Sequence, residues 1–368
     1  MIEKIGPLLM IGIEGPELLE KEAEFIIRND IGGVILFSRN IQDPKQVFEL
    51  TTQIQKLSKK TKSQAPLFIG IDQEGGRVAR LKEGFTKWPP LAALGKIGST
   101  SLAFKYAHSM GEELLACGIN LDFAPSVDVL TNPKNKVIGD RALHSDPEEV
   151  AKLASALVRG YIKSGIIPCA KHFPGHGNTL VDSHEELPRE NTDLDTLQKR
   201  ELTPFKKIFR ARLDMVMTSH ILFEKIDPQW PVTLSEIFLQ KILREEGRFK
   251  GVIVSDDLDM KALASHYKEQ EIPVRALLAG VDLLLYCNDF SKPPLALDAL
   301  QKAVKDGVLK AQRLDESYQR VMELKKKALA SLPSRSWAEA EAALKMEEHQ
   351  ALADAVASGN VPTSLLQA

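Results

Sequence analysis

The sequence predicts one α/β domain folded as a (β/α)₈ TIM barrel, with a C-terminal helical tail. Three observations carry this: eight short apolar runs, charge-decorated segments of helical length between them, and polar residues collected where the runs end. A barrel of this kind takes about 250 residues or more, so 368 residues suffice for one, with a remainder for an appendage.

In order, the runs are LLMIGI (8–13), GGVILF (32–37), PLFIGID (66–72), INLDFAP (119–125), IIPCAKH (166–172), DMVMTSH (214–220), GVIVSDD (251–257) and VDLLLYC (281–287). Their hydrophobicity is nearly continuous rather than alternating, as expected of strands covered on both faces. Between most of them, 44–60, 99–117, 146–164, 192–212 and 233–247 read as amphipathic helices, with start signals at Asp43-Pro44, Asp146-Pro147 and Thr192. Strand alternating with helix implies parallel pairing through right-handed crossovers, and eight units favour closure. The barrel is expected over 1–332. The stretch 333–368 reads as a Pro/Ser linker, a charged Ala-rich helix and a frayed end, a helical or partly disordered tail.

Lys plus Arg number 48 and Asp plus Glu 50, a net charge of -2. No single-sign field therefore exists to draw nucleic acid or an acidic membrane. No run approaches the roughly 20 apolar residues that span a bilayer. The opening MIEKIGPLLMIGIEG is broken by Gly6, Pro7, Gly12 and Glu14, unlike a secretory leader. Cys117, Cys169 and Cys287 are odd in number and lie in or beside apolar runs, so they read as reduced core residues. The expectation is a cytoplasmic monomer needing no metal or cofactor.

In a closed barrel the C-terminal ends of the strands converge on one mouth. Asp72, Asp122, Lys171 with His172, His220, Asp256 with Asp257, and Asn288 all stand at such ends. The densest group is KHFPGHGNTLVDSH (171–184), with three His, one Lys and one Asp; Pro174, Gly175 and Gly177 keep it from being helix, so a loop over the mouth is expected. Residues two apart in extended chain share a side. Asp182 can thus fix the tautomer of His184 and raise its basicity, as acid–base chemistry needs. Two other readings stay open: structural histidines in a Gly-rich turn, or metal ligation by His172, His176, His184 and Asp182. Against the metal, Lys171 sits where it repels a cation.

In VIVSDDLDM (252–260) an Asp at the strand end suits a nucleophile or a stabiliser of an oxocarbenium-like centre. Adjacent residues point apart, so Asp256 and Asp257 cannot both serve; the plainer role for Asp257 is to cap the following helix. In IDQEGGRVAR (71–80), Asp72 leaves the strand, Gly75-Gly76 turns sharply, and Arg77 and Arg80 follow. Carboxylate and guanidinium suit sugar oxygens, although Glu74 with Arg77 also reads as an ion pair bracing the loop. Arg141, in VIGDRAL, is a candidate of the same kind.

DQEGGRVAR, NPKNKVIGDRAL, KHFPGHGNTLVDSHEELP and GVIVSDDLDM, in this order and spacing, resemble the glycoside hydrolase family 3 β-N-acetylhexosaminidases of bacterial peptidoglycan recycling. The resemblance implies an exo-acting enzyme that cleaves the β-1,4 bond of N-acetylglucosaminyl-1,6-anhydro-N-acetylmuramic acid, with or without peptide, so its partner is a small carbohydrate. It further implies Asp256 as nucleophile, His184 as acid–base residue and Asp182 as its partner, with Asp72, Arg80, Arg141, Lys171 and His172 holding the non-reducing sugar. Asp259, Leu143-His144 and the tail depart from the usual pattern. Competing expectations are a metal-dependent barrel hydrolase using His172, His176 and His184, a β-N-acetylglucosaminide phosphorylase, and a non-catalytic sugar-binding barrel.

Overall fold

The structure, a computed structural model, describes residues 1–183, 185–330 and 335–366. Every apolar run forms a strand: β1 Leu9–Gly12, β2 Gly33–Leu36, β3 Phe68–Ile71, β4 Leu121–Asp122, β5 Ile167–Phe173, β6 Met215–Thr218, β7 Val252–Asp257 and β8 Leu283–Tyr286. All pair in parallel, each with its sequence neighbours, and β1 closes onto β8 with Leu9 opposite Leu284. Residues covered on both faces explain the unbroken hydrophobicity: one apolar core runs from Ile5 through the bore and under the helices. Cys117, Cys169 and Cys287 are free thiols buried in it. Among the described residues no helix is long and apolar enough to cross a membrane.

Two of the three helix starts are as expected, since Asp43 accepts from the Gln46 amide at 3.0 Å and Asp146 from that of Glu148 at 2.8 Å. Thr192 is not the third; Asp193, one residue on, accepts from the Thr196 amide at 2.8 Å. Nor is 192–212 one helix: it divides into Leu194–Lys199 and Leu202–Arg210. Pro204 is the physical reason, because it offers no amide to Arg200 four residues back and its ring crowds that carbonyl. The segment expected at 233–247 forms a helix over Ile237–Glu246, wound with the wider i→i+5 pattern.

At the foot of β8, fully buried Asp282 takes Arg244 at 2.5 Å, Arg313 at 3.2 Å and Arg320 at 3.1 Å, along with the Ile253 amide of β7 at 3.0 Å. The cluster ties the closing strand to the helices outside it. A second buried charge lacks such company. Lys325, on the helix Ala311–Leu329, is 3% exposed, with its ammonium 5.0 Å from the centre of the Phe68 ring. Burial pushes its pKa down to about 7, only partly opposed by Asp30. Because the folded value lies below the unfolded one of about 10.4, the unfolded chain alone holds this proton between pH 7 and 10, and stability rises with pH across that window. Lys325→Met is expected to stabilise the protein at pH 7 by roughly 2–4 kcal/mol and to flatten that dependence, as read by urea unfolding at pH 7 and 9.

The stretch after 334 folds into helices Trp337–Ala343, Met346–Ser358 and Thr363–Leu366. Leu344, Leu352, Ala353 and Val356 from it join the main core.

Candidate active site

Both strands expected to carry chemistry break register where it lies. On β7, Val254 faces Leu283 of β8 and Asp257 faces Leu285, so Ser255 and Asp256 together oppose one residue. On β5, Ala170 faces Val216 and Phe173 faces Thr218, so Lys171 and His172 likewise bulge against β6. A bulge re-aims side chains that a regular pleat would send to the outer face. The Asp256 carboxylate is anchored by one oxygen to the Asp257 amide at 2.8 Å.

Lys171 is the centre of a buried clasp. Its ammonium lies 2.7 Å from Asp72 Oδ1 and 2.7 Å from Glu74 Oε1. Arg141 grips both oxygens of Glu74, at 2.9 and 2.8 Å, and Arg80 donates to Asp72 Oδ2 at 3.1 Å. Burial disfavours charge on both acids, yet Lys171 and Arg80 hold Asp72, and Arg141 and Lys171 hold Glu74, below the usual carboxylate range. Burial likewise opposes the Lys171 charge, but the two acids raise its pKa above the ordinary lysine value. The set is ionised, paired and rigid, with forked donors and acceptors suited to vicinal hydroxyls.

His172 stands beside it, with Nδ1 2.8 Å from Asp128 Oδ2 and Nε2 3.4 Å from Arg141. Asp128 also accepts from the His176 amide at 2.6 Å, and burial notwithstanding, the charges of His172 and His176 keep its pKa low. The hairpin Gln73–Gly75 with Val78–Ala79 presents Glu74 and leads into Arg80. Its turn needs φ of +97° at Gly75 and +58° at Gly76, and a Cβ on Gly75 would collide with Tyr106 Oη and the Pro89 carbonyl.

Asp72, Arg80, Arg141, Lys171, His172, Asp182 and Asp256 all line one cavity of about 930 Å³. Lys134, Lys136, Leu180, Val181, Glu185 and Glu186 form its outer part. A smaller pocket of about 300 Å³ shares Asp72, Arg80 and Asp256 and runs toward Asp259 and Asn288. His184 lies outside the described residues.

Several strand-end residues have other work. Asp122 is fully buried and accepts from the Gln73 amide at 3.0 Å. His220 is fully buried between Thr233 Oγ1 at 2.7 Å and the Asp257 carbonyl at 2.9 Å. Neither lines the cavity. Asp257 caps no helix: it accepts from the Cys287 amide at 3.1 Å, the Asn288 amide group at 3.2 Å and the Asp259 amide at 3.2 Å, tying β7 to the end of β8. Arg77 pairs with Asp140 at 2.9 Å and with the carbonyls of 136–138 rather than with Glu74. Sequence reasoning passed over Asp128, although an acid in the otherwise apolar FAPSVDV leaving β4 was a legible signal.

His172 and His176 are both engaged: His176 meets Thr179 at 2.7 Å and Ser183 at 3.4 Å, and the Arg141 guanidinium beside His172 repels a cation. Among the described residues no group of three or more His, Cys, Asp or Glu is arranged to hold a metal ion.

Asp259 departs most from the resembled pattern. Burial and then the Asp257 charge raise its carboxyl to about 7. Because this folded value lies above the unfolded one, the fold loses stability as pH rises from about 4 to 7. Asp259→Asn is therefore expected to stabilise the protein by about 1 kcal/mol at pH 8 and to be neutral at pH 4, as read by thermal unfolding at both values.

A closed parallel barrel with its acids and bases on the C-terminal strand ends defines a barrel enzyme, and the comparisons say of which kind. The glycosyl hydrolase family 3 N terminal domain matches residues 1–324, and the chain belongs to that family of glycosidases, among its NagZ-like β-N-acetylhexosaminidases. It is similar to a β-hexosaminidase of Alkalilimnicola ehrlichii, 41% identical over 299 residues, or 80% of this chain and 84% of that one. A solved family 3 β-N-acetylglucosaminidase from Paenibacillus sp. str. FPU-7 superposes with a TM-score of 0.93 at 38% identity over 97% of this chain and 68% of the other. NagZ from Neisseria gonorrhoeae, solved with N-trifluoroacetyl-D-glucosamine, gives 0.77 at 35% identity over 98% of both chains.

Proposed function

We propose that this glycosidase removes a terminal N-acetylglucosamine with retention of configuration. The reading rests on one observation: Asp256, on a re-aimed strand end, opens into the cavity lined by the Asp72–Lys171–Arg141 clasp and by Asp182. The clasp holds the sugar through its hydroxyls. Asp256 attacks the anomeric carbon while protonated His184 gives its proton to the departing oxygen, leaving a glycosyl ester on Asp256. Neutral His184, oriented by Asp182, then takes a proton from the water that hydrolyses the ester. An imidazole of pKa near 6.5 serves both steps.

The aglycone we assign is 1,6-anhydro-N-acetylmuramic acid, with or without peptide. Lys134 and Lys136 on the cavity's outer part suit the carboxylates of such a group, and the buried free thiols suit the reducing cytoplasm where recycling occurs. The test is product analysis with purified N-acetylglucosaminyl-anhydro-muropeptide, with and without phosphate and after exhaustive chelation. Free N-acetylglucosamine, first formed as the β-anomer, is expected in every arm. N-acetylglucosamine 1-phosphate as the main product points to phosphorolysis, loss on chelation to a metal, and binding without cleavage to a retired site.

A further inference from the structure

We infer that the C-terminal helix Met346–Ser358 is a positioning element for the sugar clasp, acting through His349 and Trp88. Both acids of the clasp, Asp72 and Glu74, are tied by their side chains, and the backbone of Glu74 rides in addition on the short Gln73–Ala79 hairpin, which is seated on the segment 85–90. The Gly76 amide donates to the Trp88 carbonyl at 2.8 Å. Tyr106 Oη donates to the Pro89 carbonyl at 2.7 Å and lies 3.3 Å from that of Glu74 itself. Collision of any Cβ on Gly75 with these same atoms shows how closely the hairpin is seated.

That seat is in turn held from below. The Trp88 indole N–H donates to buried Glu113 at 3.0 Å, and its ring meets Tyr106 edge-on at 4.8 Å. The tail supports it as well: His349, 2% exposed, packs on it with ring centres 6.0 Å apart, and the neighbouring Lys87 amide donates to Gln350 at 3.1 Å. Among the described residues neither ring nitrogen of His349 makes a hydrogen bond, and Nε2 faces Glu112 Oε2 across a loose 3.7 Å. Against Trp88 the His349 ring contributes by its packing. Loss of that packing opens a void beside Trp88, and the chain of contacts passes the shift to Glu74, and so to Lys171 and Arg141.

The inference rests on the clasp being the sugar site. The experiment compares His349→Ala, His349→Phe and Val356→Ala in the full chain, by kinetics on an aryl N-acetylglucosaminide and by calorimetric binding of N-acetylglucosamine. His349→Ala is expected to raise KM and weaken sugar binding about tenfold with kcat changed little, since misplacement of positioning groups by about 1 Å can cost up to 100-fold. His349→Phe, which restores a ring, should return both to within about twofold of wild type. Val356→Ala loosens the same helix away from Trp88 and should leave both unchanged. A folded His349→Ala protein with wild-type KM and affinity overturns the inference, as does an equal effect of Val356→Ala. Wild-type protein that binds the sugar without cleaving it sinks the proposed reaction alone and leaves the binding comparison decisive; absence of binding sinks both.

Discussion

Asp256→Ala is expected to lower kcat on an aryl N-acetylglucosaminide by roughly 10⁴-fold or more while leaving the melting temperature and the affinity for N-acetylglucosamine near those of wild type. The Asp256 carboxylate accepts from the amide of its own neighbour, and the residue stands in a bulge outside the strand ladder, so its removal leaves the pairing of β7 intact. The vacated space suits a small anion. Azide should restore part of the turnover and be trapped as the α-glycosyl azide, because attack then comes directly on the face that the carboxylate used. Neutral product of β configuration, or a variant keeping a tenth of the activity, excludes Asp256 as nucleophile.

Lys171→Met is expected to cost roughly 3–5 kcal/mol of stability at pH 7 and to reduce kcat/KM by about 10³-fold or more. The lysine is 2% exposed and is shared at 2.7 Å by two carboxylates. Removing it leaves Asp72 and Glu74 without their shared cation, with Arg80 and Arg141 each serving one. In the wild type both acids have depressed pKa values, so their stabilisation is complete above about pH 4 and fades as pH falls below it. In the variant the pair retains a proton that the unfolded chain has given up, and stability should instead increase as pH falls from 7 toward 5. Urea unfolding across that range reads the sign. A slope matching wild type would show that the clasp is not electrostatically coupled.

The barrel was legible because its signal is local and repeated. Each strand, covered on both faces, must be apolar throughout, and helical segments follow, two of which write their start in an Asp-Pro pair, Asp43-Pro44 and Asp146-Pro147. Errors came where one residue competes with its neighbour. Thr192 and Asp193 are both good caps, and only the folded turn selects the second. Asp122 and His220 stand at strand ends as Asp72 and Lys171 do, yet they turn into the wall, where the Gln73 amide meets one oxygen of Asp122 and Thr233 and the Asp257 carbonyl hold His220.

The sequence by itself determined that the chain closes eight parallel units and where each strand ends, since order and periodicity impose both. It carried the family likeness through motifs whose members are close in the chain. Only the tertiary structure decided the partners. Glu74 belongs to Arg141 and Lys171 rather than to Arg77, three residues away, because bulges and left-handed glycines turn side chains in ways no hydrophobic pattern records. The seating of His349 on Trp88 was decided there too: such a contact joins residues far apart in the chain, and the free energy that selects it exists only once the barrel has formed.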